Sequence, residues 1–406
     1  MAGAVQKFDL ASQAFARDPL PTYARLREDS PVFQTRLPLL GKTWLAASYQ
    51  AASEVLKDDA TFVMEPKKVG RTLFGGMLRL LPRTVRVFSD NMLRHDNPDH
   101  RRLRRLVEQA FSRHSVESLR GRIGALCDGL LDSVAGSETV DLLEAWARPL
   151  PVAVICELLG LPEQDRPMFT GWAKTLFRSP TLFGMLLAVP TLFRLQKYFR
   201  RQFEQCRREP RPGLMTALVQ AEQDGDQLSE DELLGMAFLL LVAGFETTVH
   251  LLSGGTLALL RAPQQKERLL NDWSLLPSAV EELLRFVSPV QMSEPRYVMR
   301  DLEFHGRSLR RGDYIVAWLG AANTDPARFP DPDKLDLSRS PNPHVSFGSG
   351  MHFCLGAQLA RAETQVGIER LFTRYPKLAL AAADCELKYS GNMLLRALVA
   401  LPVRLQ

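Results

Sequence analysis

The stretch from Phe347 to Glu363 constrains this chain more than any other: Phe-Gly-Ser-Gly-Met-His-Phe-Cys-Leu-Gly-Ala-Gln-Leu-Ala-Arg-Ala-Glu. A single cysteine, Cys354, follows a glycine-punctuated turn and opens an amphipathic helical pattern. A helix start carries partial positive charge and unpaired N–H groups, so it lowers a thiol's pKa and favours the thiolate. Gly348 and Gly350 permit a tight bend, and Gly356 lets a flat cofactor approach the helix closely. The arrangement suits a thiolate that binds an open-faced metal centre.

Ligand number narrows the metal. A structural zinc site needs about three further Cys or His ligands at recognisable spacing, and only His352 stands near Cys354. Iron–sulfur clusters need about four cysteines, whereas haem needs a single axial thiolate. Matched at every specified position, Phe-Gly-x-Gly-x-His-x-Cys-x-Gly-x-x-Leu-Ala-Arg-x-Glu resembles the haem-binding signature of the cytochrome P-450 monooxygenases, soluble bacterial type. The resemblance implies heme b as cofactor, Cys354 as its iron ligand, Phe347 packed near the sulfur and His352 hydrogen-bonded to a haem propionate. Gly348 and Gly356 belong to the same cofactor-binding loop.

The five cysteines, Cys127, Cys156, Cys206, Cys354 and Cys385, are scattered and odd in number, which fits a reducing compartment rather than a disulfide framework. The first residues show neither a signal-peptide core nor a membrane anchor, and no run of about 18 apolar residues occurs. The expectation is a cytoplasmic protein without a transmembrane anchor, folded as one domain over 1–406. Net charge is +5, with basic clusters at Arg101, Arg102, Arg104, Arg105 and Arg113 and again from Lys197 to Arg211. No nucleic-acid motif accompanies them, so an acidic redox partner explains them better than nucleic acid.

Apolar residues recur at helical spacing from Pro21 to Glu28, Tyr49 to Lys57, Pro98 to Ser112, Ser115 to Val134 and Leu142 to Leu159. The same holds for 163–177, 190–209, 212–223, 228–260, 274–287 and 354–374. Ser229 with Glu232 three residues on forms a capping-box start for the long 228–260 helix. Short strand-like pieces lie at Val32 to Arg36, Thr43 to Ala47, Tyr297 to Met299, Tyr314 to Leu319 and Leu395 to Val403. The Pro-rich stretch from Asp325 to Pro343 reads as an irregular meander. The fold class is mainly α with small peripheral sheets, which agrees with the cytochrome P-450 fold that the resemblance implies.

Inside the long helix lies Ala243-Gly244-Phe245-Glu246-Thr247-Thr248. Ala243, Gly244 and Thr247 share one face, and the two small residues leave room for a plate-like ligand beside a diatomic. Thr247 is placed to hydrogen-bond the carbonyl of Ala243. Glu246 in so apolar a segment needs a partner, water or a proton, because an unpaired buried carboxylate costs several kcal/mol. By resemblance, Glu246 and Thr247 are the acid–alcohol pair that delivers protons to dioxygen. Glu282-Leu283-Leu284-Arg285 places two opposite charges on one helix face. The resemblance joins Glu282 and Arg285 to Arg339 in a network supporting the cysteine loop. It also assigns His100, Arg104 and Arg296 to the haem propionates, with Arg101, Arg102 and Arg105 facing outward. His95, His114, His250 and His305 lack ligand spacing.

The activity implied is a haem-thiolate monooxygenase that hydroxylates, or otherwise oxidises, an apolar small molecule. Two electrons come from ferredoxin and ferredoxin reductase, and the protein acts as a monomer. By the layout the resemblance implies, Phe62, Met64, Leu73, Phe74, Met77, Leu78, Phe183, Met185, Met292 and Met393 stand in or beside the pocket, and so Met-rich a lining implies a sizeable apolar substrate: a terpenoid, steroid, fatty acyl chain or polyketide. Arg79, Arg83 and Arg86 read as a solvated face rather than an anion site. A peroxide-driven haem enzyme and a non-catalytic haem sensor are the rival functions. The Glu246-Thr247 pair argues against the first.

Overall fold

The computed structural model describes residues 9–10, 12–38, 40–72, 82, 86–108, 111–176, 182–220, 222–223 and 226–405. Helix α1 (Leu20–Asp29) leads into a hairpin of β1 (Val32–Leu37) and β2 (Gly41–Ala46), whose register pairs Val32 with Ala46. Helix α2 (Tyr49–Lys57) is capped by Ser48, whose hydroxyl accepts the Ala51 N–H at 3.1 Å. Its Ala51, Ala52, Val55 and Leu56 are buried, the one-sided pattern that drives an amphipathic helix onto a sheet.

After β3 (Phe62–Val63) the chain becomes helical: α3 (Asp99–Glu108), α4 (Arg113–Asp132), and, beyond the short β4 (Thr139–Asp141), α5 (Pro149–Leu159). The continuous helix expected over Leu142 to Leu159 is in fact a π-helical turn, Leu143–Ala147, followed by α5 with Pro149 in its first turn. Proline lacks the N–H an uninterrupted α-helix would use, so the break falls there. Gly160 ends α5 at φ +72°. A Cβ there would meet the Pro212 carbonyl oxygen at 2.5 Å, so the close crossing requires glycine.

Next come α6 (Arg166–Leu176), α7 (Leu182–Arg208, continuous through Pro190), α8 (Leu214–Gln220) and α9 (Glu230–Arg261). The capping box at the start of α9 is present: Ser229 Oγ accepts the Glu232 N–H and Glu232 accepts the Ser229 N–H at 2.8 Å. Helix α10 (Pro263–Asn271) lies outside the helical segments expected from sequence, because its pattern is weakly apolar and only Leu269 is buried. Helix α11 (Leu276–Val287) precedes β5 (Arg296–Val298) and β6 (Tyr314–Ala317). Helix α12 (Ala357–Arg374), β7 (Ala379–Leu380) and β8 (Pro402–Arg404) complete the main elements. By length and composition α9 could cross a membrane, although Glu246 interrupts its apolar run. Its most apolar window is nevertheless 67% buried inside the protein, and α9 packs on α5, α11 and α12 as the central core helix.

The larger sheet has the order β1-β2-β6-β5-β3, with β6 parallel to β2 and the other pairs antiparallel. The order β7-β8-β4 joins the C-terminal strands to the middle of the chain. Only Pro402–Arg404 of the strand-like tail forms a strand; Leu395 and Leu398 make isolated bridges to Val290 and Tyr389.

Candidate functional site

The cysteine loop is built by two left-handed glycines. Gly348 and Gly350 have φ +68° and +71°, and a Cβ on Gly350 would lie 2.6 Å from the Leu56 carbonyl oxygen of α2. The turn they allow lets the Cys354 N–H donate to the Phe347 carbonyl at 2.9 Å, closing the loop. Cys354 is half-buried. Helix α12 starts at Ala357 with Gly356 at its cap, so Cys354 stands ahead of the helix rather than in its first turn. Burial pushes the thiol's pKa up; the Gly356 N–H and the charges of Arg104 and Arg361 pull the other way without overcoming it. Standing ahead of α12, Cys354 feels the helix start less than a first-turn residue would, since the dipole effect fades within one turn. The space next to Gly356 is open: a Cβ added there would meet nothing within 4 Å.

Beside the loop is a cluster of basic side chains. The His100 and His352 rings lie 4.4 Å apart, centroid to centroid. His352 Nε2 is buried without a hydrogen-bond partner. Burial, then the positive charges of His100, Arg296 and Arg104, drive the His352 pKa down to about 3, with Asp96 opposing. Arg296 is buried and donates to Asp59 at 3.0 Å and to the carbonyls of Leu56 and Phe62. Arg104 is turned toward the loop itself, donating to the Phe353 carbonyl at 2.8 Å and the Met351 carbonyl at 3.5 Å. The cluster is thus rich in cationic side chains, with Asp59 on Arg296 and Glu108 3.7 Å from Arg104, around one unpaired imidazole nitrogen.

On α9 the expected face is present. Ala243 is exposed and Thr247 half-buried in the middle of a helix whose Leu241, Phe245, Glu246 and Thr248 are buried. Thr247 Oγ1 donates to the Ala243 carbonyl at 3.0 Å. Gly244 also lets α5 come close. A Cβ there would meet Ile155 of α5 at 2.7 Å, so its small size accommodates helix packing. Glu246 is buried between Arg148, 3.5 Å away, and His250 Nε2, 3.2 Å away. Of the three ways of accommodating it, partnership is the one adopted.

Comparison with known proteins decides the family. The cytochrome P-450 family profile matches residues 192–397. The polyketide biosynthesis cytochrome P-450 PksS of Bacillus subtilis is 39% identical over 399 residues, covering 96% of each chain. The chain belongs to the cytochrome P-450 family. The solved structure of PksS superposes with a TM-score of 0.91 over 98% of this chain and 100% of the other. The 6-deoxyerythronolide B hydroxylase of Saccharopolyspora erythraea is 38% identical over 98% of both chains. P450BioI, solved with a hexadec-9Z-enoic acid ligated acyl carrier protein, is 34% identical with a TM-score of 0.87, covering 97% of this chain and 100% of the other. The fold is the cytochrome P-450 fold, and the activity class is that of a cytochrome P-450 oxidoreductase.

The residues present fit a haem-thiolate cofactor. A partly accessible cysteine, an open approach at Gly356 and a cationic cluster with an unpaired His352 nitrogen match an axial ligand, a flat ring and two carboxylates. The family support network also assembles. Arg285 donates to both Glu282 oxygens at 2.8 and 2.7 Å, and Arg339 Nε reaches the same carboxylate at 3.1 Å. Asn342 and the Asp336 N–H complete the donors to Glu282. Arg285 further binds the carbonyls of Asn323 and Pro332, fastening the meander to α11.

Several cytochrome P-450 site residues escaped sequence reasoning. His250, which sequence marked only as lacking ligand spacing, is a residue of α9 buried against Glu246. Arg148, the other partner of Glu246, also donates to Glu144 at 3.1 Å; nothing in its local sequence distinguishes it. Glu363 is fully buried, its Oε2 lacks a hydrogen-bond partner, and burial raises its pKa well above the carboxylate range. Its place in the signature was the available signal. Arg102 pairs with Glu232 of α9 instead of facing outward, while Arg101 and Arg105 are exposed.

Among the expected pocket residues, Phe62 packs in the core against Phe304, and Met64 and Met292 are buried. Leu73, Phe74, Met77, Leu78, Arg79 and Arg83 lie outside the described residues, as do the side chains of Phe183, Met185 and His114. Arg86 is exposed. On the outer side of the cysteine loop, a cavity of about 480 Å³ is lined by Arg104, Arg105, Glu108, Phe353, Cys354 and Gln358, among others.

Proposed function

We propose that this chain is a single catalytic domain, 1–406, that binds heme b through Cys354 and hydroxylates a sizeable apolar molecule of polyketide or fatty acyl type. The observation that carries the cofactor assignment is the cation-rich cluster around the unpaired His352 nitrogen, set beside the closed Cys354 loop. His352, His100 and Arg296 hold the propionates, with Arg104 adding positive charge while it ties down the loop. When bound, haem supplies the redox chemistry that places one atom of dioxygen into a C–H bond, with thiolate donation favouring O–O cleavage.

The protein's own contribution is positional and protonic. Phe347 covers the cysteine loop, and the Ala243 face of α9 leaves room for dioxygen and substrate. Thr247 holds its hydroxyl on the Ala243 carbonyl, which orients its oxygen toward that face. Glu246 holds the proton supply behind Thr247, and Arg148 and His250 fix where its carboxylate sits. Burial also keeps the Glu363 carboxyl protonated. Exposed Leu394 extends the apolar surface available to substrate. The polyketide and fatty acyl classes rest on the substrates named for PksS, the erythronolide hydroxylase and P450BioI.

Electrons come from ferredoxin with its reductase. The exposed Arg101 and Arg105 on α3, next to the cavity on the outer side of Cys354 and the exposed Phe353, suit an acidic electron donor. The enzyme works in the cytoplasm as a monomer.

The deciding experiment is the absorption spectrum of the dithionite-reduced protein under carbon monoxide. A strongly red-shifted Soret band is expected, and Cys354→Ala abolishes it. A band at the ordinary position in folded wild-type protein would refute the thiolate assignment. Titration with a long-chain fatty acid and with a macrolactone then tests the substrate class by spin-state shift.

A further inference from the structure

Arg361 follows the cysteine by two helical turns on α12, and its guanidinium lies 4.6 Å from the centroid of the Phe347 ring. That distance is within cation–π range. The same guanidinium is gripped bidentately by Glu281 of α11, at 2.6 and 2.9 Å. His344 Nε2 approaches Glu281 at 3.1 Å. The Ser346 N–H points at His344 Nδ1, 3.3 Å away. Nδ1 is therefore the acceptor, and Nε2 carries the proton that is donated to the carboxylate. Ser346 Oγ in turn donates to the Leu284 carbonyl of α11 at 2.7 Å.

These contacts form a closed circuit. Phe347 is bonded through its carbonyl to the Cys354 N–H and is covered by Arg361; Arg361 is held by Glu281; Glu281 is held by His344; and His344 returns through Ser346 to Phe347. Neighbouring Glu282 and Arg285 serve the meander, so Glu281 is a separate tie from α11 to the loop.

We propose that Glu281, Arg361 and His344 are positioning residues that fix the Phe347 ring over the cysteine loop and set the charge felt by the ligand sulfur, and so govern how readily bound haem accepts an electron. This rests on the haem-thiolate assignment of Cys354. Arg361 is one of two cations whose charge acts at Cys354, and the other is Arg104. Glu281 neutralises Arg361 where it stands, and His344 Nε2 donates to that carboxylate. Taking up an electron adds negative charge at the metal, so an unmasked cation favours the reduced form and an unmasked anion opposes it. Removing Glu281's charge therefore acts in one direction and removing Arg361's in the other. A purely structural ion pair would give no such opposition.

The test uses haem-loaded wild type, Glu281→Gln, Arg361→Leu and Arg361→Lys. Midpoint potentials are measured by dithionite titration, and the red-shifted carbon monoxide band is followed with time. Melting curves verify folding. Glu281→Gln is expected to raise the potential and Arg361→Leu to lower it. Arg361→Lys keeps the charge, so its potential stays near wild type, while loss of the flat guanidinium over Phe347 speeds decay of the band. Unchanged potentials in Glu281→Gln and Arg361→Leu, or shifts of the same sign, overturn the proposal. If Arg361→Leu does not fold, Glu281→Gln decides alone: a rise supports the clamp and no change refutes it. A wild-type protein without the red-shifted band would overturn the cofactor assignment itself, and that is seen before any variant is compared.

Discussion

Replacing Glu282 by glutamine should be among the most damaging changes that leave side-chain volume untouched. Glu282 and Arg285 are both fully buried, and the carboxylate also accepts from Arg339, Asn342 and the Asp336 N–H. An amide in its place removes the negative charge from between two guanidinium groups and points N–H at donors. Breaking a buried pair in this way costs about 3–5 kcal/mol, because the surviving cations stay buried. Unfolding entropy near 2.1 cal/mol/K per residue gives about 0.85 kcal/mol/K for 406 residues. The melting temperature should therefore fall by roughly 4–6 °C, read by circular dichroism at neutral pH, with urea unfolding as a check on reversibility. Glu117→Gln is the control: it is 64% exposed where it meets Arg120, and such pairs are worth about 1 kcal/mol or less. A drop below about 1 °C for Glu282→Gln, or one no larger than the control, would refute the reasoning.

Thr247→Ala should leave the carbon monoxide spectrum intact while diverting electrons to hydrogen peroxide. Unchanged coupling of NADPH use to product, in an assay with ferredoxin and reductase, would remove Thr247 from proton delivery. Glu363→Gln should be tolerated. The raised carboxyl pKa contributes stability below the unfolded value near 4.5 and loses it as pH rises, so the variant's advantage in urea melts should grow from about pH 5 to about pH 8. An advantage that shrinks with pH would mean that Glu363 is ionised. His352 has the opposite consequence: with its pKa depressed to about 3, haem-free protein should lose stability as pH falls below 6.5, since the unfolded state takes up the proton first. Haem loading should flatten that loss, and an identical acid profile with and without haem would separate His352 from the propionates.

The site was legible where chemistry depends on contiguous residues. Gly348, Gly350 and Cys354 declare a loop because only their spacing closes the Phe347–Cys354 hydrogen bond. Thr247 and Ala243 share a face because a helix repeats about every 3.6 residues. What stayed hidden depends on packing between distant segments. Arg148 reaches Glu246 across 98 positions, and Arg361 meets Glu281 across 80. Gly244 reads in sequence as room for a cofactor; that Ile155 from another helix packs against it as well depends on distant packing. The contact of Phe62 with Phe304 was hidden for the same reason, since apolar character does not say which distant side chain it meets.

The strand order β1-β2-β6-β5-β3 has a consequence for how the molecule comes into being. The parallel partner of β2 is Tyr314–Ala317, and it leaves the ribosome about 270 residues after Thr43 and its neighbours. At a synthesis rate of roughly 5–20 residues per second, that is a wait of about 15–50 s. Throughout it the hairpin of β1 and β2 has one bare edge and no settled place, and β3 has no neighbour. The amino-terminal segment through β3 must therefore depend on restraint from other factors in the cell, or on its own solubility, until the last quarter of the chain arrives to claim it.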